Sequence, residues 1–394
     1  MPKLFAPLKL PQRSDMPSTL RCHPVESAAD RRQFVRIQRQ IYAGDPNWVP
    51  PLWSIQDELV GFRPHPFYEQ NRCQAFIAER DGQVVGRVVA IVNQGHNQKY
   101  RDRIGFFGFF ECRDDIEAAQ ALFEQAGNWL REQGLTVVRG PVNPSLNYEC
   151  GLLVDAFDVP PTFLMTYNKA YYESLLVRCG FAKVQDLYSY EAGIEMLETL
   201  DPKLAFVIQE ATRRFNVKCR PIDPKKFDTD VRTFLHIYNE SLQNTWGYVP
   251  MSPGEIDQQA KGLKHLIVPE LTSIAEIDGR PVGAGFGLLD YNPLIKKING
   301  KLFPFGWLRL LFQRKHIKRL RLISTNVLPE YQKWGLGLVT LSRVLPGTIA
   351  WGIQVGEFSW VLETNSLSRN TIERAGGRKT KTHRLYDKSL EDVA

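Results

Sequence analysis

The stretch Leu322–Arg343, LISTNVLPEYQKWGLGLVTLSR, combines a strand, a tight turn and the start of a helix. The apolar, β-branched run 322–328 predicts a buried strand, and Pro329 ends it because proline donates no hydrogen bond to a neighbouring strand. Gly335 and Gly337 then stand two residues apart, just before apolar residues recur with helical spacing. Glycine lets a ligand approach the backbone, and the first N–H groups of a helix attract anions. The stretch therefore predicts a turn that binds a pyrophosphate group.

Three classes of ligand use such a turn, and the spacing of its residues separates them. A Walker loop requires a lysine directly after its last glycine, where this chain has Leu338, and a dinucleotide fingerprint requires a third glycine, where it has Thr340. The remaining pattern, Q-x-x-G-x-G after V-x-P-E-Y, resembles the acyl-CoA pyrophosphate loop of the GNAT superfamily of N-acyltransferases. The resemblance implies that acetyl-CoA or a longer acyl-CoA is the acyl donor. It also implies that the donor contacts Val327, Gln332, Lys333, Trp334, Gly335, Leu336 and Gly337.

The order of elements after the loop is also similar to that of a GNAT domain. A strand ending at Asn365, a polar helix over 366–374, two glycines and a last strand over 383–387 follow one another. The resemblance implies that Asn365, at the family's asparagine position, also contacts the donor. Many members carry a tyrosine as general acid where this chain has Ile372. This departure leaves the proton donor unassigned and favours the alternative of a non-catalytic CoA-binding, sensing or adaptor protein.

The chain contains an internal repeat. IAERDGQVVG at 77–86 matches IAEIDGRPVG at 274–283, an offset of 274 − 77 = 197 residues. A period this long indicates two copies of one domain, because solenoid units run about 20 to 50 residues. We predict an α/β fold of two tandem GNAT-like domains, each a twisted mixed β-sheet flanked by helices. The first occupies 1–195, and the second, with the acyl-CoA loop, occupies 196–394.

The first copy has lost the glycine loop. Its corresponding turn reads CRDD between Glu111 and Ile116, without glycine and with Asp114 and Asp115 where phosphates would lie. Acidic residues cap helix N-termini well but repel anions. The first domain is therefore predicted to be degenerate and not to bind CoA in the usual manner.

The segment from Gly140 to Tyr167 predicts part of the acceptor site, because long ordered loops are often functional. The candidate substrate-binding residues are Asn143, Ser145, Asn147 and Tyr167. The alternative is a proline-braced loop that only caps the sheet. In the superfamily a carboxylate often deprotonates the acceptor amine, so the resemblance makes Glu149 and Glu363 candidate catalytic bases, which the sequence does not rank.

Residues 291–321 form an insertion absent from the first copy. It carries nine lysines and arginines among aromatic residues such as Phe303, Trp307 and Phe312. Such a composition is typical of a segment on an anionic membrane surface, and it also occurs in helices packed on a domain. Nucleic acid is not expected as a partner, because the sequence matches no known nucleic-acid-binding module.

Composition sets broader bounds on the function. The 394 residues carry a formal net charge of +7, which suits anionic ligands such as CoA, and no apolar run is long enough for a membrane span. The six cysteines form no C-x-x-C pair, so no metal site is expected and a reducing, cytoplasmic location is predicted. The insertion leaves two alternatives open there, peripheral contact at a membrane and packing on the domain. We predict an acyl-CoA-dependent N-acyltransferase that acts on a primary amine, either a small molecule or a lipid-like amine.

Overall fold

The computed structural model describes residues 18–195 and 201–391. The strands of the first half are β1 (Leu20–Pro24), β2 (Arg72–Arg80), β3 (Gln83–Val92), β4 (Ile104–Cys112), β5 (Val137–Gly140), β6 (Val142–Asn143), β7 (Glu149–Cys150), β8 (Leu152–Leu153) and β9 (Ala182–Gly193). Its helices are α1 (Ala28–Ile41), α2 (Trp53–Leu59), α3 (Gln94–Tyr100), α4 (Ile116–Glu132) and α5 (Tyr172–Arg178).

The second half has the same order of main strands, with an insertion between its third and fourth strands and no counterpart of β6, β7 and β8 among the described residues. Its strands are β10 (Lys218–Arg220), β11 (Thr272–Ile277), β12 (Arg280–Leu289), β13 (Arg319–Val327), β14 (Val355–Leu362) and β15 (Arg378–Ser389). Its helices are α6 (Pro202–Phe215), α7 (Phe227–Ser241), α8 (Pro253–Leu263), α9 (Asn292–Lys297), α10 (Gly306–Gln313), α11 (Leu336–Ser342), α12 (Leu345–Ala350) and α13 (Ser366–Arg374). The predicted domain boundary after residue 195 borders segment 196–200, which lies outside the described residues.

The repeated Asp-Gly pairs form two hairpin turns, which this dipeptide favours between strands. Asp81 and Gly82 have φ of 52° and 76°, and Asp278 and Gly279 have φ of 50° and 78°. Two consecutive positive φ angles match the twist of a two-residue hairpin. Each turn therefore sets the register of the second and third strands in its half.

Thirteen strands form one continuous mixed sheet, in the order β1-β2-β3-β4-β5-β15-β9-β14-β13-β12-β11-β10, with β8 paired to β15. In each half the first four strands are antiparallel, and the fourth runs parallel to the fifth. The predicted fold class, two tandem mixed α/β domains, is confirmed.

The two halves exchange their last strands. β15, the last strand of the chain, pairs with β5 of the first half, and β9 pairs with β14 of the second half. The two exchanged strands also pair with each other along their length. Arg139 of β5 holds Asp387 of β15 through two hydrogen bonds of 2.8 and 2.7 Å. Each half therefore completes its sheet with a strand from the other.

Three sequence-based strand boundaries were wrong. The fourth strand of the second half begins at Arg319 rather than Leu322, so the insertion ends earlier than residue 321. Arg319 and Arg321 enter the strand because buried partners hold them: Arg319 lies 3.3 Å from Glu357, and Arg321 donates to Ser359 Oγ at 2.8 Å. The strand expected to end at Asn365 ends at Leu362, and the last strand spans Arg378–Ser389 rather than 383–387.

Candidate active site

β13 and β14 separate part-way along their length and open the sheet. Only residues 319–322 of β13 pair with β14, at residues 355–358. The remaining residues of β13 have no strand partner on that side within the described chain. The gap leads into a cavity of about 1640 Å³ that residues from both halves line. This cavity is larger than the roughly 300–1,000 Å³ of a common small-molecule site, so it has room for two substrates.

The glycine turn lies at one side of this gap. Gly335 has a φ of 80°, and a Cβ there would lie 2.4 Å from Val207 Cγ1, so only glycine fits. A Cβ at Gly337 would contact only Val327 Cγ2, at 3.9 Å, and Gly337 lines the cavity. The N–H groups of Leu336 and Gly337 have no backbone partner among the described residues, whereas those of Leu338 and Val339 donate to Gly335 O. The turn therefore presents backbone donors beside open space, which suits a phosphate group.

Most of the residues expected to contact the donor line the cavity: Val327, Gln332, Lys333, Gly335, Gly337 and Asn365. Gln332 supports the turn, because its Nε2 donates to Val327 O at 3.1 Å. Asn365 Oδ1 accepts a hydrogen bond from Ser368 N and so caps α13.

Two of the expected donor contacts point elsewhere. The Trp334 ring lies 4.1 Å from the Arg214 guanidinium on the outer face of α6, and Leu336 is fully buried in the core. Neither side chain lines the cavity. Both residues contribute to the turn through their backbone and through packing.

Sequence reasoning missed two basic residues on the same cavity. Lys203 of α6 and Arg374 of α13 are exposed and belong to its lining. Both add positive charge on the cavity that Lys333 also lines. No local pattern marks them, because their position depends on where α6 and α13 pack.

The corresponding gap in the first half is closed. β4 and β5 also separate after three residue pairs, but β6 fills the space between them. A Cβ at Gly108 would lie 1.8 Å from Val142 O, and Phe109 N donates to Asn143 Oδ1 at 2.7 Å. Asp115 accepts from Ala118 N at the start of α4 and pairs with Arg80 at 2.8 Å. These contacts fill the place that the open gap and glycine turn take in the second half, and the loss of CoA binding by the first copy stays a prediction.

The predicted acceptor residues are tied into the loop that carries them. Asn143, Asn147 and Tyr167 line the cavity, whereas Ser145 does not. Asn147 Nδ2 donates to Val249 O at 2.9 Å, and Tyr167 Oη donates to Phe157 O at 3.0 Å. Ser145 Oγ accepts from Asn147 N at 3.3 Å. Asn143, Asn147 and Tyr167 therefore brace the loop as well as shape the cavity wall, whereas Ser145 only braces the loop.

The two candidate bases differ in their surroundings. Glu149 lines the cavity, and its carboxylate forms no hydrogen bond with the described residues. Burial raises the pKa of Glu149 to about 7, although the positive charge of Arg321 opposes this rise. Glu363 does not line the cavity; its oxygens accept from Asp186 N at 3.0 Å and from Lys183 Nζ at 2.9 Å. Only Glu149 is therefore both open to a ligand and poised near neutral pH.

Arg321 joins the two halves at the point where β13 and β14 separate. Its side chain is 5% exposed, and Nη1 donates to Phe163 O and Leu164 O, both at 3.0 Å. Nη2 and Nε bond Ser359 of β14. Arg321 thus fixes the long loop of the first half against the open gap of the second half, close enough to Glu149 to affect its pKa.

Ile372 lines the cavity where many GNAT members carry a tyrosine. The same helix, α13, also presents Ser368 and Thr371 to the cavity. Within residues 18–195 and 201–391, no three metal-ligating side chains come together, and no helix has the length and apolarity of a membrane span.

Comparison with known proteins shows relatives along nearly the whole chain. The bacterial ceramide synthase of Caulobacter vibrioides is 34% identical over 378 residues, which cover 93% of this chain and 97% of the relative. Protein YghO of Escherichia coli is 32% identical over 367 residues, which cover 92% of this chain and 93% of the relative. No family model matches the chain.

Solved structures share the fold at low sequence identity. A tandem GNAT protein from the clavulanic acid biosynthesis pathway aligns with a TM-score of 0.54 and 11% identity, covering 95% of this chain and all of that one. A GCN5-related N-acetyltransferase from Anabaena variabilis aligns with a TM-score of 0.51 and 12% identity, and the alignment covers 95% of this chain and 73% of that one. The solved structures show that the chain has the tandem GNAT fold, and the relative at 34% identity shows that it belongs to the family of the bacterial ceramide synthase and is an acyltransferase.

Proposed function

We propose that the protein transfers an acyl group from acyl-CoA to the primary amine of a lipid-like acceptor. The observation that carries this proposal is that the glycine turn and Glu149 line one cavity from opposite halves of the chain. The second half would hold the donor, and the first half would supply the base. The relationship to an acyltransferase argues against the alternative of a non-catalytic adaptor, which Ile372 favoured.

The donor would bind along the open edge of β13. The backbone N–H groups at Gly337 and the basic side chains of Lys333, Lys203 and Arg374 suit the phosphates of CoA. Asn326 is buried on β13, and its Nδ2 has no partner among the described residues. A buried donor without a partner is costly, so Asn326 is suited to a carbonyl of the pantetheine arm.

Glu149 would start the reaction by taking a proton from the acceptor nitrogen. The nitrogen then attacks the thioester carbonyl, a C–N bond forms, and the C–S bond breaks as CoA leaves as a thiolate. Backbone N–H groups where β13 leaves β14 would stabilise the oxyanion. A carboxylate with a pKa of about 7 is well matched to this role near neutral pH.

The apolar wall of the cavity supports a long hydrocarbon chain on the acceptor or on the acyl group. This wall includes Val49, Leu52, Leu263, Leu266 and Ile295. Ceramide is an N-acylated long-chain amino alcohol, so the name of the Caulobacter relative suggests the same class of acceptor. A long-chain amine is therefore consistent with the apolar wall of the cavity and with the name of the Caulobacter relative.

An assay of CoA release with a panel of amines tests the proposal. We expect free thiol to appear only when acyl-CoA and a long-chain amine are both present, with the amide detected by mass spectrometry. Release that is independent of the amine, or that occurs only with short polar amines, would refute the lipid-like acceptor.

The closed gap in the first half predicts one donor site per chain. Titration calorimetry with CoA should give a stoichiometry near one, because β6 and Asp115 occupy the positions that a second CoA would need. Two equivalent sites per chain would show that the first domain still binds CoA.

We also propose that residues 301–318 rest on an anionic membrane. Phe303, Phe305 and Phe312 are 75%, 73% and 77% exposed, while Leu310 anchors α10 in the core. Lys301, Arg309, Lys315 and Lys318 are exposed in the same segment. Exposed aromatic groups beside basic ones are suited to a lipid interface. The neighbouring helix α9 lines the cavity through Asn292 and Ile295, so lipid would need to travel only a short way.

Removing these groups should abolish binding to vesicles. A variant with Trp307→Ala, Phe312→Ala, Lys315→Glu and Lys318→Glu is expected to remain in the supernatant when sedimented with anionic vesicles at low salt. Each basic residue near an anionic surface contributes about 1 kcal/mol, and the aromatic groups contribute more. Phe206→Ala, at a 63% exposed position on α6, is the matched control and should bind as the unmodified protein does. Equal binding by the fourfold variant would exclude this surface.

A further inference from the structure

A buried polar cluster in the first half also lines the cavity. It consists of Gln38, Gln56, Arg87 and Glu111, and we call it the Arg87 cluster. Arg87 is 1% exposed and Gln56 is 8% exposed, so both are shielded from bulk solvent. The cluster lies on β3, β4, α1 and α2, away from the glycine turn of the second half.

Internal hydrogen bonds satisfy most of the cluster. Glu111 accepts from Gln38 Nε2 at 2.8 Å and from Tyr172 Oη at 2.7 Å. Gln56 Nε2 donates to Gln38 Oε1 at 3.2 Å, and Arg87 Nη1 donates to Phe34 O at 2.8 Å. Two buried atoms remain without a partner among the described residues: Arg87 Nε and Gln56 Oε1. The cluster thus offers one free donor and one free acceptor.

The fold itself does not require this polar group. Arg87 faces Glu111 across β3 and β4, whereas the matching strands of the second half place Ala284 opposite Asn326. A buried ion pair often stabilises a protein less than apolar residues of similar volume. The Arg87–Glu111 pair lies in the half that is not expected to hold CoA, so we infer that it helps to bind the other substrate, the acceptor.

We propose that the Arg87 cluster binds a hydroxyl group of the acceptor and so selects amino alcohols over plain alkyl amines. This inference rests on the proposed function. A hydroxyl is the smallest neutral group that both accepts from Arg87 Nε and donates to Gln56 Oε1. An anion would be repelled by Glu111, and a cation would be repelled by Arg87 and leave its Nε unpaired.

Gln56→Met tests the proposal because methionine keeps the length of the side chain and removes the acceptor. The kcat/KM for a long-chain 2-amino alcohol is expected to fall roughly tenfold, while that for the amine of equal chain length without the hydroxyl stays the same. Gln258→Met is the matched control: Gln258 lines the same cavity, but its amide is bonded to Glu58 at 2.8 Å. It should leave the ratio of the two kcat/KM values unchanged.

The outcomes separate this inference from the proposed function. The inference is wrong if the unmodified protein uses both amines equally, or if Gln56→Met leaves the ratio of the two kcat/KM values unchanged. The cluster would then bind water and not the hydroxyl of the acceptor. If no amine is acylated, the proposed function fails. In that case the thermal shift produced by the amino alcohol, compared with that of the plain amine, decides the inference: equal shifts overturn it, and a larger shift that Gln56→Met removes supports it.

Discussion

Glu149→Gln is expected to lower the rate of acyl transfer by about 10²- to 10⁴-fold, the usual contribution of a general base. In the unmodified protein the rate should rise with pH through about 7, because burial raises the pKa of Glu149 to about 7 and only the carboxylate accepts a proton. The variant should lose this rise. Initial rates of CoA release between pH 5.5 and 8.5 provide the measurement.

Stability provides the control for this variant. The folded pKa of Glu149 lies above the usual value of 4.5, so the folded state is favoured at low pH and loses that advantage as the pH rises through about 7. Glu149→Gln removes the buried charge, and the melting temperature should therefore exceed that of the unmodified protein at pH 8 but not at pH 5. Glu363→Gln should keep most of the activity, because its carboxylate is held by Lys183 outside the cavity. If Glu363→Gln loses activity while Glu149→Gln keeps it, Glu363 is the base.

Gly337→Glu is expected to abolish binding of CoA while the protein stays folded. A Cβ at this position meets only Val327 Cγ2, at 3.9 Å, so the new side chain extends into open cavity. Its carboxylate would then occupy the space expected for the phosphates and repel them electrostatically. Titration calorimetry should detect no binding, and circular dichroism should show an unchanged fold.

Two smaller substitutions separate the effect of charge from that of shape. Gly337→Ala should weaken CoA binding only modestly, because the methyl group has room. Gly335→Ala should instead destabilise the protein, since its φ is 80° and its Cβ would lie 2.4 Å from Val207. Unchanged CoA affinity in Gly337→Glu would remove the basis for assigning the donor to this turn.

Local patterns predicted much of each domain because they act over a few residues. The Asp-Gly turns at 81–82 and 278–279 form as expected, and so does α13 over Ser366–Arg374. The cap at Asp115 also follows directly from the sequence, since an aspartate before a helix satisfies a free N–H group. The repeat was visible because both copies retain the same hairpin.

Features that depend on distant pairing were not predictable in this way. Arg319 and Arg321 have the composition of a surface segment, and only their buried partners on β14 place them in a strand. The sequence could not rank Glu149 against Glu363, because the difference lies in the neighbours that the fold brings to each. The Arg87 cluster was missed for the same reason: its members are spread from residue 38 to residue 111.

The exchange of β9 and β15 has a consequence for synthesis on the ribosome. One side of β5 has no partner until residues 386–389 of β15 have been made, some 250 residues after β5 itself. A nascent chain that has completed only the first half therefore carries a bare edge at β5, the kind of edge that pairs with other chains. Any message that stops before codon 378 would leave both β5 and β9 with an open side, so loss of the last strand damages the half made first as well as the half made last.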